Sequence, residues 1–288
     1  MVVVAARETT AGALVRLARP WFWPLGWGGA FLGSVLGSGQ LVPPARAGGL
    51  ALLLGPLVWT AVLAQNDLYD LPSDRINPRK ATAPLVTGAL SPELLRRWHR
   101  GSAAATLGVA AVLGPVFLAG AVLVLGLGWV YSVPPLRLKA RAGADVVVNA
   151  LVVGVLAPVA GWALHRPVTA YPSMMLILGL LLAAALYLPT TVIDVAADRA
   201  AGTVTSAVRW RAERCYAAGL AMWAAATALW LGFCAVNGWA TAVQWGMAPV
   251  VVLSYAVLAH RPSIPRMAGV VIVFAVPATD FLLSVIAG

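Results

Sequence analysis

Residues 47–80 read AGGLALLLGPLVWTAVLAQNDLYDLPSDRINPRK, and this stretch decides the fold. Residues 47–66 carry no charge, which is about the length that crosses a hydrocarbon core as a helix. The carboxylates Asp67, Asp70 and Asp74 follow at once, and then the cations Arg75, Arg79 and Lys80. The whole chain repeats this contrast. Hydrophobic residues make up 61% of its 288 positions, charged residues 10%, and the mean hydropathy is +0.86. A soluble domain is about a quarter charged. The composition therefore excludes a soluble enzyme, a disordered chain and a secreted disulfide scaffold, and it predicts an all-α polytopic membrane protein.

Nine apolar stretches are predicted to span: 18–38, 47–67, 93–114, 115–131, 144–164, 171–194, 212–235, 239–259 and 267–287. The first is glycine-rich and the fourth is short. The third and fourth are joined at Gly114-Pro115. With nine spans, one side of the membrane holds eighteen of the twenty Lys and Arg, from Arg7, Arg16 and Arg19 to Arg261 and Arg266. The other side holds only Arg46 and Arg166. The positive-inside rule makes the crowded side cytoplasmic. The amino terminus is then inside and the carboxyl terminus outside, in a multi-pass protein of the cell membrane. The net charge of +10 follows from those loops beside anionic lipid and does not call for nucleic acid as a partner. Cys215 and Cys234 have neither disulfide nor metal spacing and read as packing residues. The first twenty residues lack the order of a signal peptide, so the first span serves as the targeting element. No linker or low-complexity tract interrupts the chain, which reads as one integral-membrane domain, 1–288.

Five of the ten acidic residues fall in two short segments. Asp67, Asp70 and Asp74 are spaced three and four apart, and Asp194 and Asp198, in TTVIDVAADRAAG (190–202), are four apart. On a helix such spacings put carboxylates on one face, as a divalent cation with oxygen ligands requires. Pro72 is expected to bend or end the first helix, so that Asp74 arrives from a turn. Both segments end even-numbered spans, emerge on the same side and can face one another. Both lie where the macrodipole already disfavours anions, by about 0.3–1 kcal/mol each when exposed. A carboxylate inside a span costs about 2.5–3.5 kcal/mol, and Asp67 and Asp194 lie close to their apolar runs. Asp70-x-x-x-Asp74-Arg75 and Asp194-x-x-x-Asp198-Arg199 also echo each other. The plainer alternative is that these Asp solvate helix ends and pair with Arg75 and Arg199.

Two acidic clusters of this kind suit two Mg²⁺ ions that clamp a diphosphate and neutralise its charge as it leaves. Arg75, Arg79, Lys80, Arg137, Lys139, Arg141 and Arg199 are the available cations for the remaining phosphate charge. An apolar bundle could hold a hydrocarbon tail. Aromatic faces could steady a carbocation, with Tyr69, Tyr131 and Tyr187 as candidates beside several Trp and Phe. For most of the twelve Trp, anchoring or packing is the better reading.

At this point the chain resembles the UbiA superfamily of intramembrane prenyltransferases. Asn66-Asp67-x-x-Asp70-x-x-x-Asp74 matches that family's NDxxDxxxD motif at every fixed position, and Asp194-x-x-x-Asp198 matches its DxxxD motif. YSVPPLRLK, 131–139, resembles the family's segment between the fourth and fifth spans. The resemblance implies a nine-helix bundle with a central lipid-facing cavity. It implies Mg²⁺-dependent transfer of a prenyl group from an isoprenyl diphosphate to a lipophilic acceptor through an allylic cation. Asp67, Asp70, Asp74, Asp194 and Asp198 would hold the metal, with Asp67, Asp70 and Asp194 essential to catalysis. Asn66 would support the site, and Arg75, Arg79, Lys80, Arg137, Lys139 and Arg199 would contact the diphosphate. Three departures stand out. Thr82-Ala83-Pro84 replaces an Asp-Arg-Pro run, so Arg79 or Lys80 must substitute. Pro135 stands where Tyr131 should be followed by Lys, so Arg137 or Lys139 must serve. Arg211 stands where the family often has Gly. ARPWFW (18–23) and YSVPPLRLKARAGAD (131–145) look nearest to the lycopene elongase and chlorophyll synthase branch.

The closest rival keeps the fold but lets the prenyl chain's own double bonds capture the cation, as UbiA-type terpene cyclases do. A cation-coupled transporter fits less well, because the acids lie at the cytoplasmic mouth rather than at the midplane. A membrane aspartyl protease lacks its second motif. Asp280, well inside the last span, reads as a hydrogen-bonded packing residue. Asp145 reads as a helix cap, and Glu93 after Ser91-Pro92 as first-turn chemistry. His99, His165 and His260 are far apart and are given no metal role.

Overall fold

A computed structural model describes residues 9–40 and 44–287, so Arg7 lies outside the described residues. All regular structure among them is helical: α1 Thr10–Ala18, α2 Trp23–Ser38, α3 Arg46–Asp74, α4 Pro92–Leu113, α5 Pro115–Ser132 and α6 Ala144–Trp162. These are followed by α7 Ser173–Ile193, α8 Val195–Ala200, α9 Ser206–Trp210, α10 Ala212–Val236, α11 Ala242–Leu258 and α12 Ile264–Ala287. Each of the nine predicted stretches is helical. Among the described residues six helices, α3, α5, α6, α7, α10 and α12, are long and apolar enough to cross a membrane. By this measure of length and composition, six of the nine expected spans qualify. α2 has 16 residues and α11 has 17, while α4 carries Glu93, Arg96, Arg97 and Arg100 in its first nine positions. Large apolar side chains such as Leu253, Val257 and Ile272 are 62–70% exposed, which suits a lipid rather than an aqueous solvent.

The chain forms two compact units. The first comprises the described residues of Met1–Pro24 and Ala51–Arg137. Here α4 and α5 form a hairpin. Gly114, at φ 129°, supplies the turn and Pro115 starts the next helix. α3 packs against both, and Val62 lies 3.1 Å from where a Cβ on Gly128 would stand. Ala13 and Leu17 of α1 bury against Ala64, Leu85, Leu90 and Leu95. The predicted first span does not begin at residue 18. The chain breaks at Arg19, whose left-handed conformation (φ 46°, ψ 61°) ends α1 before a short turn at Pro20–Phe22. Ser91 accepts from the Leu94 amide, so Glu93 sits in the first turn as expected.

The second unit comprises the described residues of Leu25–Leu50 and Leu138–Gly288. Its centre is α6, held against α2 on one side and α7 on the other by contacts that only glycine permits. A Cβ on Gly33 would lie 1.8 Å from the Pro158 carbonyl oxygen, and one on Gly161 would lie 1.8 Å from that of Ala30. On the other side, Gly154 and Gly179 meet the same limit, 2.1 Å and 1.8 Å from each other's carbonyl oxygens. Small residues in this register let helix backbones approach without the help of water. Behind them Trp223 is fully buried and stacks on Tyr255, whose hydroxyl donates to the Ala185 carbonyl at 2.7 Å. Trp162 and Trp230 are also buried, which makes them packing residues. Asp280 accepts from Thr241 Oγ1 and from Gln244 Nε2 at 3.1 Å, as a hydrogen-bonded packing residue should. Both cysteines are buried free thiols.

Candidate active site

The first motif occupies the last turns of α3. The helix does not stop at Pro72. It runs through to Asp74, and the Arg75 amide donates to the Leu71 carbonyl at 3.2 Å. Proline removes one donor, but so close to the end little helix is left to lose. Asp67, Asp70 and Asp74 therefore share one helical face, and Asp74 does not come from a turn. Asp67 and Asp74 are buried, at 5% and 8% exposure.

Each of the three carboxylates meets a cation. Arg19 Nη2 donates to Asp67 Oδ1 at 2.8 Å, Arg137 Nη2 to Asp70 Oδ1 at 3.0 Å, and Lys80 Nζ to Asp74 Oδ2 at 3.3 Å. Arg19 is the contribution that sequence reasoning missed. Its position depends on the left-handed break after α1, and a single positive-φ arginine leaves no periodic signal. Arg137 also has positive φ, at 36°, and its Nε is buried without a hydrogen-bond partner. Asn66 Nδ2 donates to Asp70 Oδ2 at 2.9 Å, and Asn66 Oδ1 accepts from Ser132 Oγ at 3.3 Å, so Asn66 orients the middle carboxylate.

The other predicted contacts are placed less closely. Arg75 is exposed, and Lys80 rather than Arg75 is the ion-pair partner of Asp74. Arg79 is exposed, its amide donating to Asn77 Oδ1. Tyr69 is 44% exposed, and its position between Asp67 and Asp70 turns it away from their face. Tyr131 is half-buried in the last turn of α5.

In the second unit, Asp194 ends α7 with φ −98° and ψ 0°, and α8 begins at once. The Asp198 amide donates to the Asp194 carbonyl at 2.9 Å, so the four-residue spacing survives the break between the helices. Asp198 Oδ2 accepts from Thr205 Oγ1 at 3.0 Å. The next residue, Ser206, is fully buried and fastened to Asp145. The Asp145 carboxylate accepts from the amides of Gly143, Val146 and Ser206 at 2.9–3.0 Å and from Ser206 Oγ. Asp145 is thus the cap predicted for α6, and it also holds α9. Lys139 is buried in a short turn, Arg199 is exposed, and Tyr187 is half-buried beside Ala184 and Leu188. Asp145→Ala would leave several buried donors without acceptors, at about 1–3 kcal/mol for each one stranded. The expected result is a fall in detergent-solubilised melting temperature, whereas Asp145→Asn, which keeps one oxygen acceptor, falls less.

Among the described residues no three His, Cys, Asp or Glu side chains gather as a preformed metal cluster. Each histidine has a local partner. His99 Nδ1 lies 2.9 Å from the Ala61 carbonyl, His165 Nε2 lies 3.0 Å from Ser34 Oγ, and His260 packs edge-on against Tyr216.

A helical, lipid-exposed protein with an Asn-Asp-x-x-Asp-x-x-x-Asp face on one helix and an Asp-x-x-x-Asp pair after another belongs to a narrow class of membrane enzymes. The UbiA prenyltransferase family matches residues 21–276. The lycopene elongase/hydratase of Haloarcula japonica is 30% identical over 220 residues, covering 71% of this chain and 69% of that protein. The fold is that of a UbiA homolog from Archaeoglobus fulgidus, solved with GPP and Mg²⁺. That structure has a TM-score of 0.75 and 24% identity, over 96% of this chain and 100% of the other. The apo UbiA homolog of Aeropyrum pernix K1 gives a TM-score of 0.73 at 21% identity, over 93% and 98%. The protein belongs to the UbiA prenyltransferase family and is a prenyltransferase.

Proposed function

We propose that the protein transfers a prenyl group from an isoprenyl diphosphate to a lipophilic acceptor in the membrane, with Mg²⁺ as cofactor and two ions the natural number for two acidic motifs. The observation that carries this reading is the single face of α3 on which Asp67, Asp70 and Asp74 stand, each beside a cation. The donor set fits the metal, since all three carboxylates offer the hard oxygens that Mg²⁺ prefers. Asp67, Asp70 and Asp74, with Asp194 and Asp198, would hold it. When bound, it neutralises charge that grows on the leaving diphosphate. The family match runs through both compact units, which supports one enzyme to which both motifs belong.

The chain's own residues do the rest. Asn66 fixes the rotamer of Asp70. Arg137, Lys80 and Arg19 supply positive charge for phosphate oxygens, with Arg75, Arg79, Lys139 and Arg199 as further contacts. The allylic C–O bond breaks with its electron pair leaving on the diphosphate. The prenyl cation is steadied by aromatic faces, for which Tyr131 and Tyr187 are the half-buried candidates and Tyr69 the exposed one. A nucleophilic carbon or hydroxyl oxygen of the acceptor then captures the cation, and the acceptor sheds a proton in either case. The haloarchaeal relative's name supports a long polyene as acceptor. The charge bias of the loops supports a cytoplasm-facing site and amino terminus, with the carboxyl terminus outside.

The test supplies purified protein with prenyl diphosphates of increasing length, with Mg²⁺ or chelator, and with or without a polyene. Pyrophosphate release is expected only with metal and acceptor together, and chelation should lower it by about 10²-fold or more. Release from the donor alone, with a cyclic hydrocarbon as product, would replace the transferase by a cyclase. Ion flux in liposomes without any pyrophosphate would replace both by a transporter.

A further inference from the structure

The first motif is electrically satisfied before any metal arrives. Three carboxylates on one helical face repel one another, and two of them are buried. Arg19, Arg137 and Lys80 offset that repulsion one for one, at 2.8, 3.0 and 3.3 Å. A divalent cation approaching alone therefore meets carboxylates already paired with cations and must compete with three partners. A diphosphate changes this, because it is a polyanion that offers the same cations a stronger acceptor. Arg137 already has a donor to spare. Nη2 is engaged with Asp70 while Nε is buried without a partner, so the guanidinium has hydrogen-bonding capacity that its carboxylate does not use.

We propose that Arg19, Arg137 and Lys80 are place-holders for metal on the first motif, so that Mg²⁺ and the diphosphate are taken up together rather than metal first. The inference rests on the functional reading above and adds an order of binding to it. Arg19 is the firmest of the three. It makes the shortest pair, its backbone is fixed in the left-handed break after α1, and it grips the most buried of the three carboxylates. Lys80 is the loosest, with the longest separation and a flexible stem.

Binding of Mn²⁺ to the purified full chain, followed by the loss of its free-ion paramagnetic resonance signal, tests the order without turnover. The wild type should bind Mn²⁺ weakly alone, and inorganic pyrophosphate should raise that affinity by about 5–150-fold, the usual range of coupling between two ligands. Arg19→Gln should tighten Mn²⁺ binding in the absence of pyrophosphate and shrink the coupling, and Arg19→Lys should restore the wild-type pattern. Lys80→Gln, at a partly exposed side chain that the fold can spare, should shift both in the same direction by less. A wild type that binds Mn²⁺ equally well with and without pyrophosphate overturns the proposal, as does a failure of both Gln variants to tighten metal binding. If that wild type still releases pyrophosphate from a prenyl diphosphate with Mg²⁺, the enzyme reading stands and only the place-holders fall. A wild type without any release removes both.

Discussion

Asp67→Ala, Asp70→Ala and Asp194→Ala should each abolish pyrophosphate release while leaving the protein folded. The expected loss is on the order of 10³-fold or more in turnover, about 4 kcal/mol of transition-state stabilisation. The reason is chemical rather than structural. Asp67 and Asp70 stand in the last turns of α3 and Asp194 stands at the end of α7, so none of them holds a helix interior together. Removing Asp67 also frees Arg19, whose side chain is already partly exposed, so the fold should survive the change. Unchanged elution on size exclusion, together with lost release, is the pattern to observe. Near-normal turnover in all three variants would end the assignment of these residues to the reaction.

Gly161→Leu should prevent the protein from folding. A Cβ there would stand 1.8 Å from the Ala30 carbonyl oxygen, well inside any non-bonded contact, and the obstacle is backbone that cannot rotate away. Helices α2 and α6 would have to separate, and Gly33, whose own Cβ would meet the Pro158 carbonyl, shows that the approach is equally close one turn along. Overpacking a rigid contact costs about 1–3 kcal/mol for a few added methylenes. A leucine against backbone exceeds that range and approaches the whole margin of stability, about 5–15 kcal/mol. Gly161→Ala is the graded control and should leave a folded but less heat-stable protein. Gly48 has nothing within 4 Å of its would-be Cβ, so Gly48→Ala should behave as wild type. Melting curves in detergent distinguish the three cases.

Much of this was legible in the sequence because it rests on local signals. The nine apolar stretches are all helical, and apolar length marked them. The two motifs end α3 and α7, as their place after apolar runs required. Asp145, Asp280 and Glu93 carry the structural roles that their positions gave them. What the sequence hid depends on distant partners or on single backbone conformations. Arg19 reads as one more basic residue until the αL break turns it onto Asp67, 48 positions away. Pro72 reads as a helix end, yet its place two residues before the terminus lets the last turn survive. Three of the predicted spans do not meet the length and composition that the other six meet, because hydropathy windows do not register where a cap or an arginine cluster starts the helix.

The fastening of Ser206 to the buried Asp145 has a consequence for how this enzyme can diversify. Thr205 binds Asp198, and its neighbour is moored to the start of α6. The second motif's outer residue is thereby held twice, its carboxylate by Thr205 Oγ1 and its carbonyl by the Thr203 amide at 2.8 Å. Side-chain substitutions at residues 200, 201 and 204 that keep those two bonds should therefore leave Asp198 in place.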